Sequence, residues 1–183
     1  MIVDTNVNID KAIQFIRLYE ETHPHKTNYA MEGLVHPKYR AGTQSIDNTW
    51  NQIWQDIDPS IEYQSGIESF LKRLSIYAKY MGNVKYKILD IFTNAEKVLI
   101  HSIVSFNHIE DILGFPATDK RISIESFYTF TFAEDLIISS TVNIDFYQWL
   151  TEIGASLTEE GDKQKIIKYL DSLRSQNILP TYE

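Results

Sequence analysis

Apolar residues in the first half of the chain recur at the spacing of amphipathic helices. The first pattern has four residues at i, i+3, i+4 and i+7, namely Ile9, Ala12, Ile13 and Ile16, with Asn8 ahead of them as the predicted N-cap. A second pattern covers residues 46–57. The third is the clearest, because Ser65 and Glu68 form a capping box in front of an apolar face that extends to Met81. The first half of the chain therefore predicts three helices.

At Gly82 the period of the pattern changes from that of a helix to that of a strand. Four segments rich in β-branched and aromatic residues alternate as strands do; they cover residues 84–93, 97–109, 121–132 and 136–146. Residues 94–96 and 133–135 are short enough to be hairpin turns, which would make the sheet antiparallel. A short helix, Tyr147–Ile153, is predicted to end at Gly154, and a last helix is predicted to begin at Thr158.

Helices gathered ahead of strands indicate an α+β fold rather than a parallel α/β fold. We predict a curved antiparallel sheet that closes half a barrel, with the N-terminal helices packed on its concave face and a pocket between them. A chain of 183 residues fits a single domain. Residues 1–154 would form its body, and residues 155–183 would be a C-terminal helical extension of the same domain.

Charge and residue content narrow the possible functions. Seventeen Lys and Arg against 25 Asp and Glu give a net charge of -8, which argues against binding to nucleic acid or to an anionic membrane. The chain has no cysteine, so it has no disulfide, thiolate nucleophile or Cys-ligated zinc. Without a membrane-spanning apolar run or a start typical of a signal peptide, the sequence predicts a cytoplasmic protein.

The common catalytic motifs are absent from the sequence. The glycines lack the spacing of a phosphate-binding or dinucleotide-binding loop, and the chain has neither a nucleophile elbow nor a His-Glu-x-x-His motif. His23 and His25 flank Pro24 in a polar segment, where two solvated histidines are more typical of a loop than of a metal site. We therefore expect neither a metal nor a cofactor.

Asp145 is the first candidate for chemistry. It shares one strand face with Ser139, Thr141 and Asn143, and it is the only charge on that strand, at the junction with a short apolar helix. A carboxylate in an apolar pocket is desolvated, which raises its pKa and suits it to general acid–base catalysis. The alternative is an exposed Asp that caps the following helix. His108 closes a predicted strand, and it too has a structural alternative.

Several segments have the order and spacing of one family's motifs. Asn107-His108 and Leu113–Arg121 resemble Thr-His followed by Gly-x-Pro-x-Thr-Gly-Lys-Arg, and Ile137–Gly154 resembles a last strand followed by Asp-x-x-x-Leu-Leu. Together they resemble the SnoaL-like polyketide cyclases of the nuclear transport factor 2-like superfamily. The resemblance covers roughly residues 8 to 154 and places Asp145 on the family's Asp.

This resemblance implies a cone-shaped α+β fold, usually dimeric, with a pocket inside the cone. It implies a polyketide or ester cyclase that closes a ring by an aldol-type reaction on a small apolar carbonyl compound, without a cofactor. Asp145 would be the acid–base residue, and His108 would hydrogen-bond to the substrate or to Asp145. The expected substrate-binding residues are Tyr39, Thr141, Asn143, Tyr128 and Trp54. We also expect a homodimer.

The sequence departs from the family at the pocket. Ser139-Ser140-Thr141 stand where the family commonly has Glu-His-Trp or Glu-Glu-Trp, and Arg40-Ala41 follow Tyr39 where the family commonly has His or Asn. Trp50 and Trp54 lie in an insertion that could refill the gap. A second hypothesis therefore stays open, that of a non-catalytic module that binds a small ligand or forms dimers, because a fold does not by itself establish an activity.

Overall fold

The computed structural model describes residues 5–20, 31, 33–41, 81–111 and 115–154, together with the single positions 67, 71, 74, 78, 160, 161, 164 and 168. These residues form two helices and five strands. In chain order they are α1 (Thr5–Leu18), β1 (Val35–Ala41), β2 (Met81–Thr93), β3 (Lys97–His108), β4 (Arg121–Ala133), β5 (Leu136–Ile144) and α2 (Phe146–Glu152). The predicted α+β class is confirmed.

The five strands form one open sheet in the order β1-β5-β4-β3-β2. Strands β2 to β5 are consecutive antiparallel neighbours, as the short connections predict. The expectation of a wholly antiparallel sheet is wrong at one edge, because β1 pairs with β5 in parallel, with Val35 opposite Ile137. A strand separated from its partner by a long stretch of chain can pair in either direction, and the residue pattern does not decide which.

The hairpin between β4 and β5 turns through two residues with left-handed backbone. Glu134 has φ 52° and Asp135 has φ 60°. A tight hairpin turn whose twist matches that of its strands needs positive φ at both central residues, and Asp tolerates this region better than most residues. Lys11 of α1 donates to the carbonyl oxygen of Asp135, so the helix is also attached to this turn.

Helix α1 covers part of the inner face of the sheet with its apolar stripe. Its Ala12, Phe15 and Ile16 are fully buried. The Phe15 ring lies 5.7 Å from that of Tyr39 on β1 and 5.4 Å from that of Phe130 on β4, measured between centroids. Strand β3 presents every second side chain to the same interior, from Val98 to His108. The core thus lies between α1 and the inner face.

Two sequence-based boundaries need correction. Asn8 does not cap α1: the helix begins at Thr5, and Asn8 lies within it, 1% exposed, because it falls on the same stripe as Ala12 and Phe15. Met81 does not end the third helix but begins β2, opposite His108. An apolar residue at a helix–strand junction fits both periods, so the pattern alone could not assign it.

The other predicted helices lie mainly beyond the described residues. Ile67, Leu71, Leu74 and Ala78 are helical and lie within the third predicted helix, and Glu160, Gly161, Gln164 and Lys168 are helical within the last one. The predicted helix over residues 46–57 lies outside the described residues. The division into a body and a C-terminal extension stays a prediction.

Replacing Phe15 with Ala should lower the free energy of unfolding by about 3–5 kcal/mol, because a buried aromatic ring is lost and a cavity remains. The measurement is urea denaturation followed by circular dichroism. Val7→Ala is the control on the same helix, since Val7 is 41% exposed and should cost under about 0.5 kcal/mol. Equal losses for the two variants would contradict the packing of α1 described above.

Candidate functional site

A cavity lies on the inner face of the sheet, toward the end at which α2 covers it. Its walls come from four strands and α2, and the lining residues are Met81, Val84, Tyr86, Val104, Phe106, Ile124, Tyr128, Val142, Ile144 and Trp149. None of these side chains carries a charge. The cavity volume is about 30 Å³, which is room for about two water molecules. This volume suits a very small ligand or one end of a larger molecule.

Two tyrosines supply polar groups to this apolar wall. The hydroxyls of Tyr86 and Tyr128 are hydrogen-bonded at 2.9 Å, and their rings meet edge to face with centroids 5.8 Å apart. The end of α1 fixes the backbone of Tyr86: its N–H donates to Glu20 Oε1 at 2.6 Å, and Arg17 donates to its carbonyl at 3.2 Å. Each phenol can both donate and accept a hydrogen bond, so the pair can recognise a ligand oxygen.

Small residues lie beside this pair on the inner face. Ser102 and Ser126 are fully buried, and their hydroxyls are hydrogen-bonded at 2.9 Å. The two serines are opposite each other on β3 and β4, and Ser126 pairs with the cavity residue Ile144 on β5. The two serines satisfy each other's hydroxyls inside the core, and neither is among the described residues that line the cavity.

His108 lies at the end of β3, on the same face as the cavity residues Val104 and Phe106. It is 1% exposed, and its register partner on β2, Met81, also lines the cavity. Nδ1 lies 3.2 Å from Thr118 Oγ1, whereas the buried Nε2 has no hydrogen-bond partner among the described residues. His108 is therefore a buried imidazole with one nitrogen unused.

Burial is the largest influence on the pKa of the His108 imidazole. Desolvation lowers the pKa of His108 below its usual value of 6.5, and this effect exceeds three that favour the charged form: a hydrogen bond to the backbone of Glu110 and the charges of Asp111 and Asp119. The ring is therefore neutral at pH 7, and in that state one nitrogen carries a lone pair that can accept a proton.

Asp145 is exposed and caps α2, so the expectation of a desolvated carboxylate is wrong. Its side chain accepts a hydrogen bond from the backbone N–H of Gln148 at 2.9 Å, the geometry of an N-cap. Asp145 does not line the cavity, although its chain neighbour Ile144 and the α2 residue Trp149 do. The structure thus selects the alternative that the sequence left open.

The expected contact between His108 and Asp145 is excluded by the strand register. Ile144 on β5 pairs with Ser126 on β4, which pairs with Ser102 on β3. Asp145 is one residue beyond this row, whereas His108 is six residues beyond it and two strands away. At a rise of about 3.4 Å per residue the two positions are separated by ~17 Å along the sheet alone, too far for a hydrogen bond.

The expected substrate-binding residues do not come together. Thr141 and Asn143 alternate with the cavity residues Val142 and Ile144 along β5, so they lie on the opposite face of the sheet, and their expected place in the pocket is wrong. Tyr39 is buried away from the cavity lining, with its hydroxyl 2.6 Å from Ser140 Oγ. Tyr128 lines the cavity. Trp54 lies outside the described residues.

Sequence reasoning did not single out Tyr86, Thr118 or Trp149. The alternation of β2 was a usable signal for Tyr86, because Val84 and Tyr86 occupy its inward positions. No local signal places Trp149 over the cavity or Thr118 beside His108, since both contacts depend on how separate segments fold back on the sheet.

Neither a metal-binding cluster nor a membrane-spanning helix occurs among the described residues. Within this part of the chain no three His, Asp or Glu side chains are arranged to hold a metal ion. Neither of its two helices has the length and apolar character needed to cross a bilayer. The homodimer and the small-molecule partner stay predictions.

Replacing Asp145 with Ala should lower the free energy of unfolding by about 1 kcal/mol, because the helix loses its cap, whereas Asp145→Asn should change it little, since Asn caps as well as Asp. Urea denaturation at neutral pH measures both. Glu152→Ala is the control, because Glu152 is exposed at the other end of α2. A gain in stability for Asp145→Asn would instead indicate a strained carboxylate kept for catalysis.

The lowered pKa of His108 predicts a pH-dependent stability. The unfolded chain binds the proton more readily than the folded one, so the contribution of neutral His108 is complete above pH 6.5 and is lost as the pH falls through 6.5 toward the folded pKa. Between about pH 7.5 and about pH 5 the wild type should therefore lose more stability than His108→Gln in urea denaturation. Parallel losses for the two proteins would show that His108 is not desolvated.

Solved structures of other proteins share the fold of this chain. TsrD from Streptomyces laurentii is 19% identical, with 85% of this chain and 100% of TsrD covered and a TM-score of 0.65. A protein named as a SnoaL-like polyketide cyclase from Jannaschia sp. CCS1 is 14% identical, with 83% and 94% covered and a TM-score of 0.61. A protein from Catenulispora acidiphila with a ketosteroid isomerase-like fold, solved in complex with trimethylamine, is 12% identical, with 79% and 92% covered and a TM-score of 0.56.

No protein-family model and no curated protein matches the sequence. Identities this low establish a shared architecture and leave the activity open. The similarity read from the sequence is thus confirmed as one of fold: the chain has the ketosteroid isomerase-like α+β fold found in the SnoaL-like polyketide cyclases.

Proposed function

We propose that the cavity binds part of a small, largely apolar carbonyl compound and that the chain carries out cofactor-free acid–base chemistry on it, as an aldol-type cyclase does. The observation that carries this proposal is the uncharged, apolar cavity that contains a tyrosine hydroxyl pair and lies beside a buried, neutral histidine. The names of the structural neighbours support the cyclase class.

The cavity walls favour an apolar ligand that bears one hydrogen-bond acceptor. Apolar side chains gain from covering apolar ligand surface, at roughly 25 cal/mol per Å². An ionised ligand group would lose its hydration there without a counter-charge, since none of the described lining residues is charged. A carbonyl oxygen loses less hydration than an ion and can accept a hydrogen bond from the Tyr86–Tyr128 pair.

His108 is the base in this proposal. A neutral imidazole takes a proton from the carbon next to a carbonyl, and the resulting imidazolium returns a proton to the alkoxide formed on ring closure, so one residue serves both steps. His108 is four positions beyond Val104, the partner of Tyr86, on β3, which is ~13 Å along the strand. A substrate that reaches both groups is therefore elongated, with one end in the cavity.

A non-catalytic ligand-binding module is the second candidate. The observation that favours it is Asp145, whose carboxylate is exposed and engaged in capping α2 rather than held in an apolar pocket. In this case the cavity binds the same class of ligand but leaves its C–H bonds intact. The two candidates differ in chemistry and not in binding.

Filling the cavity should abolish binding. We expect para-diacetylbenzene, which has an acetyl group at each end, to bind the wild type in ligand-observed NMR and to lose binding to Val104→Phe, whose ring occupies the cavity. Ile103→Phe is the matched control, because Ile103 is the next residue on β3 and points to the opposite face. Equal binding to both variants would contradict a site in the cavity. Binding of trimethylamine but of no ketone would indicate recognition of a cation by the aromatic rings instead.

The chemistry is tested by exchange of the acetyl protons of the same compound with deuterium. The wild type should accelerate this exchange, and His108→Gln should lower the protein-catalysed rate by about 10²–10⁴-fold, the usual contribution of a general base. Asp145→Asn should leave the rate unchanged. Binding without accelerated exchange in the wild type would favour the ligand-binding module. Loss of exchange in Asp145→Asn alone would restore Asp145 as the base.

A further inference from the structure

We propose that Thr118 is a positioning residue that holds His108 as the Nδ1–H tautomer, so that the lone pair is on the buried Nε2. The use of that lone pair in catalysis rests on the proposed function, whereas the tautomer itself does not. The proposal identifies how the loop after β3 prepares His108 before any ligand is present.

The backbone fixes Thr118 beside the imidazole. His108 N–H donates to the Lys120 carbonyl at 3.1 Å, and Asp119 N–H donates to the His108 carbonyl at 2.9 Å. The chain enters this pairing through Asp119, which has φ 54°, in the left-handed region. Ala117 N–H donates to Asp111 Oδ1 at 2.8 Å, and this hydrogen bond connects two parts of the segment between β3 and β4. Thr118 is thus placed by backbone contacts on both sides of it.

The hydrogen bond at Nδ1 favours a proton on that atom. Thr118 Oγ1 is 3.2 Å from Nδ1, and it also accepts a long hydrogen bond from Lys120 N–H at 3.4 Å. Nε2 has no hydrogen-bond partner among the described residues, whereas Nδ1 has the Thr118 oxygen within reach. A ring N–H therefore finds its acceptor at Nδ1.

The opposite tautomer, with the proton on Nε2, would be less favourable. With the proton on Nε2, a buried N–H donor would have no acceptor among the described residues, and orphaned buried N–H groups are rare and costly. With the proton on Nδ1, the buried Nε2 is an acceptor without a donor, which is the arrangement that a ligand O–H or acidic C–H can complete. Thr118 thus helps to direct the reactive nitrogen, as residues that bond to the second nitrogen of a histidine commonly do.

Nearby carboxylates suit the charged state that would follow. Asp111 and Asp119 both favour the imidazolium, although burial keeps the ring neutral in the resting protein. Once Nε2 takes a proton from the ligand, Nδ1–H remains bonded to Thr118 Oγ1, and the two carboxylates act on a positive ring. The proton passes from the ligand to Nε2, and the electron pair of the broken bond stays on the ligand.

The test is the tautomer of His108 in the ligand-free protein, read from the nitrogen-15 shifts of the imidazole at about pH 7.5, well above the pKa of this ring. His108→Gln identifies the signal, because that signal disappears. We expect a protonated Nδ1 and an unprotonated Nε2 in the wild type, the same in Thr118→Ser, and a population with protonated Nε2 in Thr118→Val. Ser105→Ala is the control, because Ser105 lies on the opposite face of β3 and bonds to Ser123. A wild type with protonated Nε2, or a Thr118→Val protein with an unchanged tautomer, would overturn the proposal.

The acetyl-proton exchange assay separates this proposal from the proposed function. Thr118→Val should slow exchange several-fold while leaving the affinity for para-diacetylbenzene unchanged, and Thr118→Ser should restore the rate. If the tautomer changes as expected but the wild type catalyses no exchange, the positioning role stands and the acid–base function fails. If Thr118→Val does not fold, Thr118→Ala provides the same two readouts.

Discussion

Burial of the inner face of the sheet is the constraint on which the structure depends. The ring of Phe15 of α1 packs against those of Tyr39 and Phe130 on the inner face. A polar group buried on this face lowers the stability of the protein unless it has a hydrogen-bond partner. The buried hydroxyls accordingly occur as bonded pairs, Tyr39 with Ser140 and Ser102 with Ser126. His108 departs from this pairing, since its Nε2 has no hydrogen-bond partner among the residues that the structure describes.

The cavity follows from how the helices divide the inner face. Helix α1 is attached to the β4–β5 turn through Lys11 and ends near Tyr86, where Arg17 and Glu20 bond to the backbone of β2. Among the described residues, Trp149 of α2 is the helical residue that lines the cavity. The cavity therefore lies where the coverage by one helix ends and that by the other begins. Asp145 caps the helix that contains Trp149. Asp145 therefore supports the cavity through the structure of α2, although its own carboxylate is exposed.

Strand geometry decides which candidate residues lie near the cavity and which lie away from it. Successive residues of a strand point to opposite faces, so the polar set Thr141 and Asn143 was correctly grouped, but on the face away from the cavity. His108 has no distinctive sequence pattern, yet the alternation of β3 carries it inward with Val104 and Phe106. Asp145, whose sequence context is the more suggestive of catalysis, is exposed. His108, whose context is the less suggestive, is buried and has a ring nitrogen that can accept a proton.

The sequence by itself determined the local elements. Periodicity located α1 and the strands β2 to β5, the Asp-initiated helix ahead of Gly154, and the α+β class, because these depend on neighbours within a few residues. The motifs around His108 and Asp145 also indicated the fold that the solved structures confirm. Tertiary structure alone decided that β1 pairs with β5 in parallel, which face of β5 lines the cavity, and that His108 and Asp145 lie far apart. These outcomes depend on register and on contacts between segments distant in the chain, and no local pattern encodes the free energy of such contacts.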